Sequence, residues 1–194
     1  MTRLVGAELF KMRTTRTFYA LVGSAIALAV LPTIPVCAFV DFGDSDEGPL
    51  DVLLFFIGGL IQVFALLIGI LAATNEFRHG TITPSLLVVP NRVRLMLAKL
   101  SAALLMGLVL GMLATGLIIL IVMGFGSIRD FDTGDDKLAL FVGGSLASAL
   151  FAALGVGLGA LVRNQVGAIV GALVWLFVVE PLLAILPGGV GDAI

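Results

Sequence analysis

The chain has 194 residues, of which 60% are hydrophobic and only 12% charged, with a net charge of −2 and a mean hydropathy of +1.19. Soluble domains carry about 25% charged residues, so this composition excludes an ordinary soluble domain. Apolar runs of about 20 residues, the length that crosses a ~30 Å hydrocarbon core, recur along the chain. The sequence therefore predicts an all-α, polytopic helical membrane protein that forms a single transmembrane domain over residues 1–194.

The N-terminal segment, residues 3–16, precedes the first apolar run and contains RLVGAELFKMR. Its apolar residues fall near one face of a helix, and its charged residues, including Glu8, fall largely elsewhere. This pattern predicts a short amphipathic helix that lies in the plane of the lipid head groups. The alternative is a positively charged flank that only orients the first span. The predicted apolar face consists of Leu4, Ala7, Leu9 and Phe10.

Five apolar runs are each long enough to form a membrane-spanning helix. A cleaved signal peptide is the alternative for the first run, but Pro32 and Pro35 interrupt its exit and no clear small-x-small cleavage site follows. We therefore expect the first run to be retained as a span. The spans are predicted at about residues 18–40, 52–73, 100–125, 138–162 and 166–186.

The basic residues between these runs alternate in number. Four lie in the N-terminal flank, four in the segment 75–99 and one in the turn 163–165, whereas the intervening loops contain none and two. Lys and Arg in short loops mark the cytoplasmic side of a membrane protein. The sequence therefore predicts a cytoplasmic N-terminus and a cytoplasmic segment 75–99.

The segment 75–99 is the long basic and polar passage between the second and third runs. It carries an apolar patch at 86–89 between two charged parts, and an exposed apolar patch rimmed by charge is typical of a protein interface. We therefore interpret this segment as a docking surface; the alternative is a segment that lies on lipid. The candidate contact residues are Glu76, Phe77, Arg78, His79, Leu86, Leu87, Arg92 and Arg94.

Residues suited to catalysis are scarce. His79 is the only histidine and Cys37 the only cysteine, which argues against a histidine-paired metal site and a Ser-His-Asp set. The sequence GxxxxGK[ST] of a phosphate-binding loop does not occur. We therefore predict no catalytic residue, metal ligand or cofactor in this chain, and any ATP that powers it must bind a different polypeptide.

Two polar residues interrupt the apolar runs. Gln62 is the only strongly polar residue inside the second span, and Glu180 lies about two-thirds of the way along the fifth. A carboxylate at that depth costs several kcal/mol unless a partner, a water-filled cavity or a helix break is present. Pro181 lacks a backbone donor and favours such a break. We predict a gate or a buried polar pairing here; the alternative is that Glu180 only reaches the outer interface.

Glycines recur four residues apart in three of the spans. This spacing allows helix backbones to approach closely in a membrane. We favour packing within one chain over a seam between two copies. The residues are Gly107 and Gly111, Gly155 and Gly159, and Gly167 and Gly171.

The segment 75–99 resembles the corresponding passage of the ABC-2 type permeases, the membrane subunits of a class of ABC exporters. The likeness lies in an acidic-aromatic-basic start followed by Gly-Thr, an apolar turn, a proline and a lysine before the next span. The N-terminal Glu8-Leu9-Phe10-Lys11 is similar to that family's interfacial connecting helix, and Glu180-Pro181 to the outer end of its fifth helix. The residues are Asn75 to Thr81, Leu86, Leu87, Pro90 and Ala98-Lys99-Leu100.

This resemblance implies a dimeric permease, with a second copy or a related chain, in a bacterial cytoplasmic membrane. Two cytoplasmic ATP-binding cassette subunits would bind ATP and magnesium, and the segment 75–99 would be the coupling loop seated on them. The family usually has six spans, of which the sequence shows five. The implied function is ATP-driven export of an amphipathic or apolar molecule, such as a drug, an antibiotic or a lipid, with no nucleic acid as partner.

Two other functions are alternatives to the exporter subunit. A membrane scaffold or assembly factor would use the segment 75–99 to bind a protein that is not an ATPase. An ion-coupled carrier usually shows several polar groups and broken helices near the middle of the membrane, where this chain offers chiefly Glu180. The exporter subunit remains the preferred hypothesis.

Overall fold

The structure is a computed structural model that describes residues 2–40, 49–78, 92–129 and 136–185. Throughout these ranges the chain is helical apart from short connections, and no strand occurs in them, so the predicted all-α fold is confirmed. The elements are α1 (Thr2–Arg13), α2 (Arg16–Phe39), α3 (Pro49–Arg78), α4 (Arg92–Arg129), α5 (Lys137–Val162), α6 (Gln165–Val174), a π-helical turn (Trp175–Val179) and α7 (Glu180–Ile185).

Five helical segments within the described ranges are long and apolar enough to cross a membrane, which confirms the prediction of a polytopic membrane protein. The fifth combines α6, the π-helical turn and the start of α7. The segments are Arg16–Phe39, Val52–Asn75, Val93–Ile128, Lys137–Val162 and Gln165–Leu183.

Helices α3 and α4 are longer than the apolar runs that they contain. They have 30 and 38 residues, which at 1.5 Å per residue gives roughly 45 and 57 Å against a ~30 Å hydrocarbon core. The sequence predicts that residues 75–78 and 92–99 belong to the coupling loop. In the structure they belong to the helical ends of α3 and α4. Hydropathy marks where the lipid ends, whereas the backbone hydrogen bonds of a helix continue past that boundary. Residues 79–91 lie outside the described ranges.

Close contact between α3 and α5 forms the centre of the bundle. A Cβ added at Gly69 of α3 would collide with the carbonyl oxygen of Ala152, and one added at Gly155 of α5 would collide with that of Leu66. Both neighbouring atoms belong to the backbone, which cannot rotate away as a side chain can. The two helices therefore meet backbone to backbone, and only glycine fits at these two positions.

Helix α4 packs against the adjacent face of α5 in the same way. A Cβ at Gly107 would lie 2.6 Å from the Ala152 Cβ, and one at Gly111 would lie 2.8 Å from the Ser145 Cα. Further along α5, a Cβ at Gly159 would lie 2.9 Å from the Ala73 Cβ. Four of the six glycines singled out by their spacing thus lie at helix contacts within the chain.

The other two glycines, both on α6, lie away from such contacts. A Cβ at Gly171 would meet nothing within 4 Å, and one at Gly167 would make only ordinary contacts with neighbours in the chain. The packing expected for this pair is not found among the described residues. Ala168 and Ala172, one position along, are the buried residues of α6. Only 11% of the residues in the apolar window of the fifth span are buried, so few of its residues lie in the core.

The turn between α5 and α6 is held by Asn164. Arg163 ends α5 in the left-handed conformation with φ 55°, and the Asn164 side chain accepts hydrogen bonds from the backbone N–H groups of Val166 and Gly167 at 3.1 and 3.3 Å. These bonds satisfy two donors that an α-helix leaves unpaired at its N-terminus. The two-residue connection therefore fixes where the fifth span begins.

Replacing Asn164 with Ala should destabilise α6 by about 1 kcal/mol, because it removes the acceptor of both hydrogen bonds. We expect a lower midpoint of thermal unfolding in lipid nanodiscs. Asn164→Asp keeps an acceptor at the same place and should retain the wild-type midpoint. Equal midpoints for the Ala and Asp variants would show that the cap contributes nothing.

Candidate functional site

The predicted docking surface lies at the end of the bundle where α3 stops and α4 starts. Glu76, Phe77 and Arg78 form the last turn of α3, and Arg92 is the first residue of α4. Arg94 follows within the first turn of α4 and is exposed. The remaining candidates, His79, Leu86 and Leu87, lie outside the described residues.

Helix α1 packs against α4 near this end, with a face that includes Leu4 and Leu9 but not the other two residues expected. The predicted apolar face included Ala7 and Phe10, both of which are exposed, Phe10 to 71%. The partly buried residues are Leu4, Val5, Glu8, Leu9 and Met12. The prediction was wrong about Glu8 because hydropathy alone assigns a carboxylate to the polar face, whereas a cation on another helix can neutralise it.

That cation is Lys99 of α4. Its Nζ lies 3.0 Å from the Glu8 Oε2, and the two side chains are only 2% and 14% exposed. An ion pair removed from water is weakly stabilising when intact, but loss of either partner leaves an uncompensated buried charge. The pair joins residues 91 positions apart in the sequence. It therefore fixes the orientation of α1 against the first turns of α4.

The sequence carried a partial signal for this pair. Leu4, Glu8 and Met12 follow each other at intervals of four, which places Glu8 on the line of an apolar stripe. Lys99 stands directly before the third apolar run, between Ala98 and Leu100. The stripe that contains Glu8 does not identify Lys99 as its partner, and the position of Lys99 does not identify Glu8. The pairing depends on how α1 folds back onto α4.

The structure brings Gln62, Glu180 and Pro181 to one groove. It lies between α3 and the fifth span, with Phe151 of α5 as its floor, and has a volume of about 510 Å³. Gln62 is half-buried and Glu180 is exposed to the groove. The three residues that interrupted the apolar pattern in sequence thus line one groove, although Gln62 and Glu180 are 118 positions apart in the sequence.

The fifth span has a helix irregularity immediately before Pro181. Residues Trp175–Val179 form a π-helical turn in which the Glu180 N–H donates to the Trp175 carbonyl, five residues back. Proline has no N–H and its ring clashes with the carbonyl four residues earlier, so the hydrogen-bond pattern of the preceding turn must change. The wider π-helical turn accommodates the proline and presents Glu180 to the groove.

A second cavity lies on the other side of Gln62. It has a volume of about 370 Å³ and is formed by α3, α4 and α5, with Thr115 and Ser148 among its polar lining residues. Both hydroxyls donate to carbonyls of their own helices, Thr115 to Gly111 at 2.6 Å and Ser148 to Gly144 at 2.9 Å. Gln62 therefore lines both cavities, and its amide is the polar group that the two share.

Comparison with known proteins gives one family. The family model described as "ABC-2 family transporter protein" matches residues 4–179, which is most of the chain. No curated protein and no solved structure matches the chain. The match begins within α1 and ends at the π-helical turn, so it includes the Glu8–Lys99 pair and all but the last turns of the fifth span.

Proposed function

The chain belongs to the ABC-2 family of transporter proteins, and we propose that it is the permease subunit of an ATP-driven exporter. The family makes it a membrane subunit of a transporter rather than an enzyme. Membership of the family does not determine the direction of transport, the substrate or the source of energy. The proposed substrate is an amphipathic or apolar molecule, and ATP hydrolysis is proposed to occur on separate cytoplasmic subunits.

The observation that carries this proposal is the buried ion pair between Glu8 and Lys99. It ties a short helix outside the predicted spans to the start of the longest helix of the bundle, beside the ends of the segment 79–91. A simple orienting flank needs only positive charge near the membrane. The buried ion pair attaches α1 to α4, which supports a second role for α1. A partner that moves α1 would also move α4.

We propose the following coupling mechanism. Two ATP-binding cassette subunits, each holding ATP and magnesium, bind the end formed by 75–99 and α1. ATP binding favours one arrangement of these subunits, and the contact shifts the bundle toward the conformation that fits it. The cassette subunits can shift the bundle only if they bind its two conformations with different affinity. The chain's own residues transmit this bias and perform no chemistry.

The proposal includes a second permease copy or a related chain, and a bacterial cytoplasmic membrane with the N-terminus inside. The positive-inside distribution of Lys and Arg supports this orientation. The fifth span supports a further contact in the membrane, since only 11% of the residues in its apolar window are buried by its own chain.

The double variant Glu76→Ala, Arg78→Ala tests the proposed docking surface. We expect the wild-type chain to co-purify with a nucleotide-hydrolysing subunit from native membranes, and the variant to retain roughly a tenth or less of that subunit, as truncation of central interface residues often costs 2 kcal/mol or more. The measurement is the ATPase activity that co-elutes per mole of the tagged chain.

A matched control changes two charges away from this end. Asp136→Ala, Lys137→Ala at the start of α5 should keep the wild-type amount of ATPase activity. If the wild-type chain brings down no nucleotide-hydrolysing subunit, the exporter proposal fails. Recovery of a partner that does not hydrolyse ATP would favour the scaffold alternative instead.

A further inference from the structure

The groove between α3 and the fifth span combines aromatic walls with two polar groups. Its aromatic lining residues come from three parts of the fold: Phe55 and Phe56 from α3, Phe151 from α5, and Phe177 from the π-helical turn. Phe55 and Phe56 are largely exposed, at 78% and 67%. A volume of about 510 Å³ lies within the range of small-molecule sites, roughly 300–1,000 Å³.

The two polar groups of this groove have no partner among the described residues. Neither the Gln62 amide nor the Glu180 carboxylate makes a side-chain hydrogen bond or an ion pair there. Gln62 lies ten residues into the span that starts at Val52, roughly 15 Å along the helix. An unpaired amide and carboxylate within membrane-spanning helices are costly, and membrane proteins place them where a ligand or water meets them.

The charge of the groove selects the ligand. A carboxylate repels anions and stabilises an ammonium group, and hydrogen bonds to a charged group are about twice as strong as neutral ones. Aromatic faces also attract a cation within about 6 Å of the ring centre, most strongly where water is excluded. Among the described residues that line the groove there is no Lys or Arg that would neutralise Glu180.

We propose that this groove binds an amphipathic small molecule with a single ammonium group. The Glu180 carboxylate and the faces of Phe177 and Phe56 hold the ammonium, the Gln62 amide accepts a hydrogen bond where the nitrogen carries a proton, and the apolar tail lies along Phe55. This inference rests on the proposed function, because it names the chemical class of the exported substrate. It assigns substrate selection to the fifth span rather than to the docking surface.

The single tryptophan of the chain allows a direct test. Trp175 starts the π-helical turn, next to Leu176 and Phe177 of the groove. A dodecyltrimethylammonium probe with a brominated alkyl chain should quench its fluorescence in nanodiscs of an uncharged galactolipid. We expect saturable quenching, roughly tenfold tighter than for the equally brominated neutral alcohol, as attraction of a cation to a carboxylate and aromatic faces contributes about this factor.

Glu180→Gln should abolish that difference by removing the charge attraction, which weakens the cationic probe roughly tenfold and leaves the neutral probe unchanged. Asp136→Asn makes the same chemical change at an exposed residue outside the groove and should keep the wild-type preference. Gly59→Leu should weaken both probes, because it fills the groove at a position where a Cβ meets nothing within 4 Å. Gly157→Leu, also at an open position but not among the groove residues, should weaken neither.

Equal quenching by the two probes in the wild type, quenching that does not saturate, or an unchanged preference in Glu180→Gln would each overturn this inference. The assay contains neither ATP nor a second subunit. Failure to find an ATPase partner would therefore leave the binding result standing, and failure of the binding test would leave the docking result standing.

Discussion

Glu8→Gln should destabilise the folded chain by about 3–5 kcal/mol, the usual cost of removing one partner from a buried ion pair. The Lys99 side chain is only 2% exposed, and the change replaces the carboxylate oxygen 3.0 Å from its Nζ with a neutral amide. We expect α1 to separate from α4 and the free energy of unfolding in bicelles to fall by that amount. ATP-dependent transport should fall with it, because α1 no longer moves with α4.

A double-mutant cycle isolates the pair from other effects of each change. Glu8→Gln together with Lys99→Met removes both charges, and a buried pair replaced by groups without charge is often nearly neutral in stability. The double variant should therefore regain most of the stability lost in Glu8→Gln. Arg3→Gln, at an exposed residue of the same helix, should differ from the wild type by less than about 0.5 kcal/mol. Strictly additive effects of the two single changes would contradict the assigned role of the pair.

Gly155→Ala should have the next largest effect, a loss of about 1–3 kcal/mol from overpacking. The added Cβ would collide with the carbonyl oxygen of Leu66, so α3 and α5 must move apart along their closest contact. This cost exceeds the roughly 1 kcal/mol that Ala gains over Gly in the interior of a helix. The measurement is the free energy of unfolding in bicelles, together with the fraction of folded chain recovered from membranes.

Gly157→Ala is a matched control for this prediction. It makes the same substitution two residues further along α5, where a Cβ meets nothing within 4 Å. We expect no loss of stability, or a gain of up to about 1 kcal/mol from helix propensity alone. A similar loss in both variants would show that the backbone contact between α3 and α5 is not what makes glycine necessary at 155.

The spans and the four packing glycines were predictable because both depend on local patterns. Apolar length determines which segments can cross lipid, and a four-residue spacing places small side chains on one face of a helix. The spacing does not say which neighbour that face meets. On α6 the buried small residues are Ala168 and Ala172 rather than Gly167 and Gly171, and one residue position turns the helix by about 100°.

The ion pair and the groove needed the structure because each joins distant parts of the chain. The sequence identified Gln62, Glu180 and Pro181 separately, as polar or helix-breaking residues in apolar surroundings. That they line one groove follows from the packing of the fifth span against α3, which buries Leu66, Ile70, Ala168 and Ala172 in a small cluster of its own. Glu8 was assigned to the wrong face because a neutralising lysine lies 91 residues further on.

The two proposed sites have different functions and lie in different parts of the bundle. At one end, α1 and the first turns of α4 are joined by Glu8 and Lys99, close to the segment proposed to bind the ATPase. Within the membrane, the groove beside the π-helical turn offers the groups proposed to bind the substrate. Helix α3 takes part in both, since Phe55 and Gln62 line the groove and its last turn carries Glu76 and Arg78. Movement of α3 would therefore link the two sites.

The most direct test of the exporter proposal is ATP-dependent flux through the purified complex. The chain and its co-purified ATPase subunits would be reconstituted into sealed vesicles, with the groups that bind ATP facing outward and a fluorescent amphipathic cation as the transported probe. We expect accumulation of the probe inside the vesicles with ATP, and none with a non-hydrolysable analogue or with the Glu76→Ala, Arg78→Ala variant. Equal accumulation with ATP and with the analogue would contradict it.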